Sequence, residues 1–307
     1  MSLVTVGTVA FDSIETPSGK ADRVVGGAAS YIALAASHFV IEQELISVIG
    51  EDFPKEFLST LESRGVGSSG LVTIKGGKSF FWEGSYHEDL IGRDTVTTEL
   101  NVLDGWSPTI PPNALHPKFV MLGNLDPAVQ LSVIEQLEST PSLIVLDTMN
   151  FWMDIAMDAL KKVISKVDVL MINDDEARQL TGIKSLPLAA EAIHKMGPKT
   201  VVIKKGEHGA IMFEEGHVFY SPAVPLKKVV DPTGAGDTFA GGFIGYLARL
   251  GDTSWEAKKQ ALVVGSVLAS FTCEAFGTER LESLQESEWH NRMDKLRAMV
   301  KFRSIRG

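Results

Sequence analysis

The sequence predicts an α/β fold, a three-layer α/β/α sandwich with a mostly parallel central sheet and a small β-sheet lid. Three observations carry this. Short, continuously apolar runs recur along the 307 residues, amphipathic stretches lie between most of them, and two polar, turn-rich segments, 11–24 and 68–104, break the rhythm. Apolar strands alternating with helices must be covered on both faces, which is how a parallel sheet is built.

Strands are expected at "LVTVGTV" (3–9), "LISVIG" (45–50), "KFVMLGN" (118–124), "SLIVLDT" (142–148), "VDVLMIN" (167–173) and "KTVVIKK" (199–205). Helices are expected at 27–39, 53–64, 127–138, 153–165 and 187–196. In the second irregular segment "KGGK" (75–78) reads as a hairpin turn between antiparallel lid strands. Phe80, Trp82 and Tyr86 share one face of a period-2 strand. "IMFEEGHVFY" (211–220) reads as a second hairpin. A helix over about 235–250 would bury Phe239, Phe243, Tyr246 and Leu250 as one stripe. Cys273 reads as a packed helical residue. The chain is expected to be one domain, 1–307, with both lid segments inside it.

Composition narrows the function. With 44% hydrophobic and 22% charged residues, wholesale disorder is excluded. A net charge of −10 argues against nucleic-acid and membrane-surface binding, which need basic faces. It leaves room for a small anionic ligand in a local pocket. The single cysteine cannot form an internal disulfide, which fits a reducing compartment. No apolar run approaches the ~20 residues of a bilayer span. "MSLVTVGTVAFD" reads as an opening strand, not a signal peptide. The simplest expected location is the cytoplasm. The seven histidines lack zinc-ligand spacing, so protein ligands alone indicate no metal site.

The most informative stretch is "DPTGAGDTFAGG" (231–242). Its "TGAG" segment lies at the N-terminus of the expected helix, where free backbone N–H groups and the helix dipole make an anion hole. Asp237 stands inside that hole. An acid there repels phosphate unless it takes the proton of an attacking hydroxyl while the amides steady the transferring group. The alternative is a first-turn acid that only complements the dipole. Neither the Walker pattern nor a dinucleotide GxGxxG is present.

"DPTGAGDTFAGGF" resembles the C-terminal signature of the ribokinase-like (PfkB) carbohydrate kinases. "GTVAFD" (7–12), "GGAASYIALAAS" (26–37), "VIGEDFPKEFLSTLESRGV" (48–66), "NDDEARQLTG" (173–182) and "VIKKGEHGA" (202–210) resemble further blocks of that family, in order along the chain. The resemblance implies phosphoryl transfer from ATP to a hydroxyl of a sugar, nucleoside or related polyol, with Mg2+; it leaves open a monovalent cation. It makes Asp237 the base and Gly234, Ala235 and Gly236 the anion hole. Asp12, Gly26 and Gly27 would meet the acceptor. Asn173 and Glu176 would serve the phosphates and a metal-bound water, with no direct protein ligand to the metal. Lys204, Gly206 and Gly209 would line the nucleotide, and Ser266 the adenine.

Local readings compete with several of these roles. Asn173 and Glu176 also fit a helix N-cap and its N3 partner. Lys204 and Lys205 point to opposite faces of a strand, so at most one is a ligand. Asp147 and Asn150 end a strand at the ligand-binding edge, where they could hold the acceptor, organise phosphates or form a turn. The aromatic face of the lid could stack on a ligand, or cover the body or a second copy of the chain in a homodimer.

Tyr31 stands where many sugar kinases of that family carry Asn. With the aromatic lid it favours a nucleoside acceptor over a simple pentose or hexose; an inositol-like ring polyol is the alternative. Pro54 replaces a frequent glycine at a helix start, where proline is benign. The rival function is a non-catalytic nucleotide or sugar sensor on the same fold, which would not need Asp237.

Overall fold

Each apolar run is long enough for one strand, and the polar turns between them leave the helices no choice but to cover the sheet. The computed structural model describes residues 2–40 and 42–301. The chain opens with β1 (Leu3–Val6), β2 (Ala10–Thr16) and β3 (Gly19–Gly26), then α1 (Ala28–Ala36). Next come β4 (Gln43–Gly50), α2 (Lys55–Ser63), the short β5 (Val66–Gly67) and β6 (Leu71–Ile74), followed by β7 (Phe80–Tyr86) and β8 (Arg93–Glu99). Strand and helix then alternate through β9 (Phe119–Leu122), α3 (Pro127–Gln136), β10 (Leu143–Asp147), α4 (Asn150–Ile155) and α5 (Met157–Ile164). They continue through β11 (Val169–Asn173), α6 (Asp174–Thr181), α7 (Leu186–His194) and β12 (Thr200–Lys204). The hairpin of β13 (Ala210–Glu214) and β14 (His217–Ser221) precedes α8 (Ala235–Leu250), α9 (Trp255–Thr272), α10 (Glu279–Ser283) and α11 (Glu286–Val300).

Among the described residues, the large sheet runs β14-β13-β12-β11-β10-β9-β1-β4-β5, with β6 also paired to β4. Its β12-to-β6 portion is parallel, and the late hairpin adds antiparallel strands at one edge. A separate sheet, β3-β2-β7-β8, is antiparallel except for the parallel β2–β7 pair. This is the expected α/β sandwich with a small additional sheet.

Two cores flank the large sheet, and strand alternation divides it between them. On β9 and β10, Phe119, Met121, Leu143 and Val145 pack with α1, α8 and α9. Val120, Leu122, Ile144 and Leu146 pack with α3, α5 and α6. The same period-2 rule aims the strand-end residues. Asp147 follows Val145, Asn173 follows Met171 and Lys204 follows Val202 on the α8 side. Three adjacent strands thus deliver three polar side chains to the face where α8 begins.

Five expectations are corrected. "KGGK" closes no lid hairpin, because β6 pairs in parallel with Ser47–Gly50 of β4. The short β5 covers only Gln43 and Glu44, and β6 fills the edge that β5 leaves open. The first expected strand ends at Val6, and Asp12 lies within β2 of the small sheet. The helix expected at 153–165 is two helices, broken at Ala156 with φ −139°. Leu250 is 45% exposed, since Gly251 ends α8 in the left-handed region just beyond it. Cys273 is half-buried at the C-cap of α9, not within its packed face.

Phe243 is fully buried at the centre of the α8 face. Phe243→Ala is expected to cost about 3–5 kcal/mol of stability, read as a lower midpoint in urea denaturation with an unchanged slope.

Candidate active site

The "TGAG" turn meets the protein body through Tyr31. Gly234 caps α8 with φ 74°, and a Cβ there would lie 2.3 Å from the Tyr31 ring. Only glycine allows both the left-handed turn and that contact. The Ala235 N–H bonds back to Pro232 O at 3.2 Å, so, contrary to expectation, it is not a free donor of the anion hole, and the Thr238 N–H makes the helical bond to Gly234 O at 2.8 Å. The amides of Gly236 and Asp237 precede that bond and face the opening of the turn. Asp231, fully buried, braces the loop by accepting from the Thr233 N–H at 2.8 Å.

Asp237 is half-buried in the first turn of α8. Burial and then the neighbouring Asp147 charge push its carboxyl up to about 7, against the opposing pull of Lys204 and Arg93. Such a group takes a proton readily near neutral pH.

Asp12 faces the same space from β2, 5% exposed. Burial, then Asp231, raise its carboxyl to about 7, with the Gly27 amide opposing. Gly26 makes room for it, since a Cβ there would lie 1.9 Å from Asp12 Oδ2. Gly27 caps α1 with φ 87°. Tyr31, on α1, is 1% exposed, and its hydroxyl has no hydrogen-bond partner among the described residues. Burial, then the charges of Asp12, Asp231 and Asp237, keep the phenol protonated. An orphaned donor buried among three acids is a place for a ligand oxygen.

On the phosphate side Asn173 and Glu176 form the reciprocal capping box of α6. Glu176 N–H donates to Asn173 Oδ1 and Asn173 N–H to Glu176 Oε2, both at 2.7 Å. The structural alternative is therefore realised, and it leaves Glu176 Oε1 uncommitted. Burial raises the Glu176 carboxyl to about 7, with Lys204 opposing and Asp147 adding. Lys204 donates to Asp147 Oδ2 at 2.6 Å. Its ammonium lies 3.1 Å from where a Gly236 Cβ would stand, against the anion hole. Gly206 is open to solvent space at φ 54°. A Cβ on Gly209 would strike Ser221 O at 2.1 Å. Ser221 in turn shares a hydrogen bond of 3.1 Å with the buried Ser266.

The structure brings Asp12, Gly26, Gly27, Tyr31, Gly234, Ala235, Gly236, Asp237, Glu176 and Lys204 around one opening. Asn173 is held at its rim as a cap. Gly206, Gly209 and Ser266 form a neighbouring group. Asn150 is not drawn in: it is exposed, at the start of α4, and accepts from the Phe151 N–H at 3.0 Å.

Three features escaped sequence reasoning. Arg93 opens β8 opposite Tyr86, and its charge acts on Asp12, Glu176, Asp231 and Asp237. It donates to Tyr86 Oη at 3.2 Å, and Tyr86 Oη also accepts from Thr233 Oγ1 at 3.1 Å, tying the small sheet to the anion-hole loop. Asp231 is the third. In an alternating polar strand an arginine reads as solvated, and only its register with Tyr86 reveals its aim. Trp82 is the register neighbour of Asp12, and its ring covers Gly84, where a Cβ would lie 2.1 Å away.

A family model for pfkB family carbohydrate kinases matches residues 120–284. A cytidine kinase of Thermococcus kodakarensis is 34% identical over 256 residues, covering 81% of this chain and 89% of its own. A nucleoside kinase of Methanothermobacter thermautotrophicus is 26% identical, covering 90% of this chain and 91% of its own. Among solved structures, Cryptococcus neoformans ribokinase in complex with ADP superposes with a TM-score of 0.76 at 21% identity, over 94% of this chain and 99% of its own.

Tyr31→Phe removes the orphaned hydroxyl. The variant is expected to gain about 1 kcal/mol of ligand-free stability in urea denaturation while the acceptor KM rises. Gly26→Ala is expected to displace Asp12 and raise the acceptor KM at least about tenfold with nucleotide affinity unchanged, read by steady-state kinetics and calorimetry. The chain belongs to the pfkB family of carbohydrate kinases.

Proposed function

We propose that this ATP-dependent kinase phosphorylates a nucleoside, with Asp237 as the general base. The observation that carries the chemistry is one carboxyl, raised to about 7, in the turn whose amides and neighbouring Lys204 await an anion. The acceptor hydroxyl loses its proton to Asp237 and its oxygen bonds the γ-phosphorus. The bond from that phosphorus to the bridging oxygen breaks, and the electron pair leaves on ADP. The amides of Gly236 and Asp237, with Lys204 and Arg93, steady the charge on the phosphoryl oxygens. Asp12 accepts from acceptor hydroxyls and Tyr31 donates to one.

Three observations support a nucleoside. Trp82 stands beside Asp12 on the small sheet and offers a ring face for a base. Tyr31 provides a single donor. The cytidine kinase and nucleoside kinase relatives cover most of the chain. The aromatic strand β7 makes the small sheet a lid that excludes water from the transfer. Gly206, Gly209 and Ser266 take the nucleotide side.

Among the described residues no group of three or more His, Cys, Asp or Glu could hold a metal alone. Mg2+ fits nonetheless, because it keeps several waters and binds mainly through nucleotide phosphates. The free oxygen of buried Glu176 suits one of those waters. When bound, the ion neutralises phosphate charge. No helix among the described residues is long and apolar enough to cross a membrane.

ADP production is to be measured with ATP and Mg2+ over a panel of nucleosides, ribose, fructose and myo-inositol, in potassium and in sodium buffers. A nucleoside is expected to give the highest kcat/KM. A higher value for ribose or myo-inositol would overturn the acceptor assignment. Asp237→Asn is expected to lower kcat by about two to four orders of magnitude while nucleotide binding persists. Near-normal turnover would remove Asp237 as the base. Because the base must be ionised, kcat/KM should fall as pH drops through about 7, where Asp12, Glu176 and Asp237 titrate together.

A further inference from the structure

Lys204 ends β12 and Asp147 ends β10, two strands away across β11. Both residues are on the α8 side of the sheet, so the lysine reaches over β11 to its partner. The pair is close, 2.6 Å, with the side chains 17% and 6% exposed. Asp147 is fixed at its other oxygen, where Oδ1 accepts the Thr148 N–H at 2.9 Å. Asp147 is the only hydrogen-bond partner of the Lys204 ammonium among the described residues. The ammonium has two further N–H donors, and it sits against Gly236.

A lysine in this place has other carboxylates to choose from. Its charge also acts on Glu176 and on Asp237. Paired with Asp237, it would block the base and weaken its hold on a proton. We propose that Asp147 is a positioning residue for phosphoryl transfer: by engaging the Lys204 ammonium it holds that charge over the anion hole and away from Asp237. The donors left free then meet the oxygens of the transferring phosphate, while the acceptor proton passes to an unencumbered Asp237.

Electrostatics supports this division of labour. Burial works against the Lys204 charge, but Asp147 and Glu176 outweigh it, so the lysine stays protonated. Asp237 is faced by Asp147 from β10, Lys204 from β12 and Arg93 from β8, while Asp12 on β2 and Tyr31 on α1 feel its charge. Removing the Asp147 charge takes away a repulsion and lets Lys204 turn toward the base. Both changes make Asp237 less basic.

The proposal rests on the kinase reading with Asp237 as base, and the experiment separates the two. Asp147→Asn, Lys204→Met, the double variant and Asp237→Asn are compared by kcat, ATP KM and the pH dependence of kcat/KM. Asp147→Asn is expected to lower kcat by about one to two orders of magnitude and to move the acidic limb to lower pH. Lys204→Met should lower kcat by about 100-fold and move the limb to higher pH. The double variant removes both buried charges, so it avoids the unpaired acid of Lys204→Met and keeps the comparison open if that variant fails to fold. Its kcat should match Lys204→Met, or, failing that variant, be no more than about 100-fold below wild type. A strut that only braces the sheet would lower the melting temperature of Asp147→Asn but leave kcat and the limb within twofold of wild type; that result overturns the proposal. Independent, multiplying losses in the double variant do so as well. If Asp237→Asn itself turns over normally, the base assignment fails, whatever Asp147→Asn shows.

Discussion

Everything at this site depends on keeping several carboxyl groups, drawn from both sheets and from the start of α8, together without letting them neutralise or expel one another. Asp12, Asp147, Glu176, Asp231 and Asp237 all lie near the same opening, and Lys204 and Arg93 are the cations whose charges reach them. Each acid is assigned by what already holds it. Asp231 is committed to its loop through Thr233, and Asp147 to Lys204. Glu176 gives one oxygen to the start of α6. Asp12 and Asp237 have no side-chain hydrogen-bond partner among the described residues, and of the two only Asp237 lies in the first turn of α8.

The second organising contact is the one between sheets. Thr233 sits in the anion-hole loop, Tyr86 ends β7 and Arg93 begins β8, and their three polar groups meet at the Tyr86 hydroxyl. The position of the small sheet is therefore registered directly against the turn that opens α8.

Much of this was readable in the chain itself. Apolar runs marked the strands because a parallel sheet hides both faces, and "TGAG" marked the turn because Gly234 there takes the left-handed region at φ 74°. What escaped notice depends on register. Asp12 was expected at the end of the first strand, but that strand is only four residues long and the acid belongs to the next one. β6 was placed in the lid, because alternation does not say which edge a strand will find. Arg93 belongs to no motif in the sequence, and only its pairing with Tyr86 reveals its aim. Asn150 looked like a ligand at a strand end, yet its amide serves its own helix. The capping box and the ligand role of Glu176 were treated as rivals, whereas one carboxylate has two oxygens.

That last feature reaches beyond the pocket. The oxygen of Glu176 that closes α6 and the oxygen without a partner among the described residues belong to a single rigid group. It cannot drift toward a ligand without fraying the helix behind it. The start of α6 and the aim of that second oxygen are thereby welded together, so a lesion at either Asn173 or Glu176 would disturb both at once.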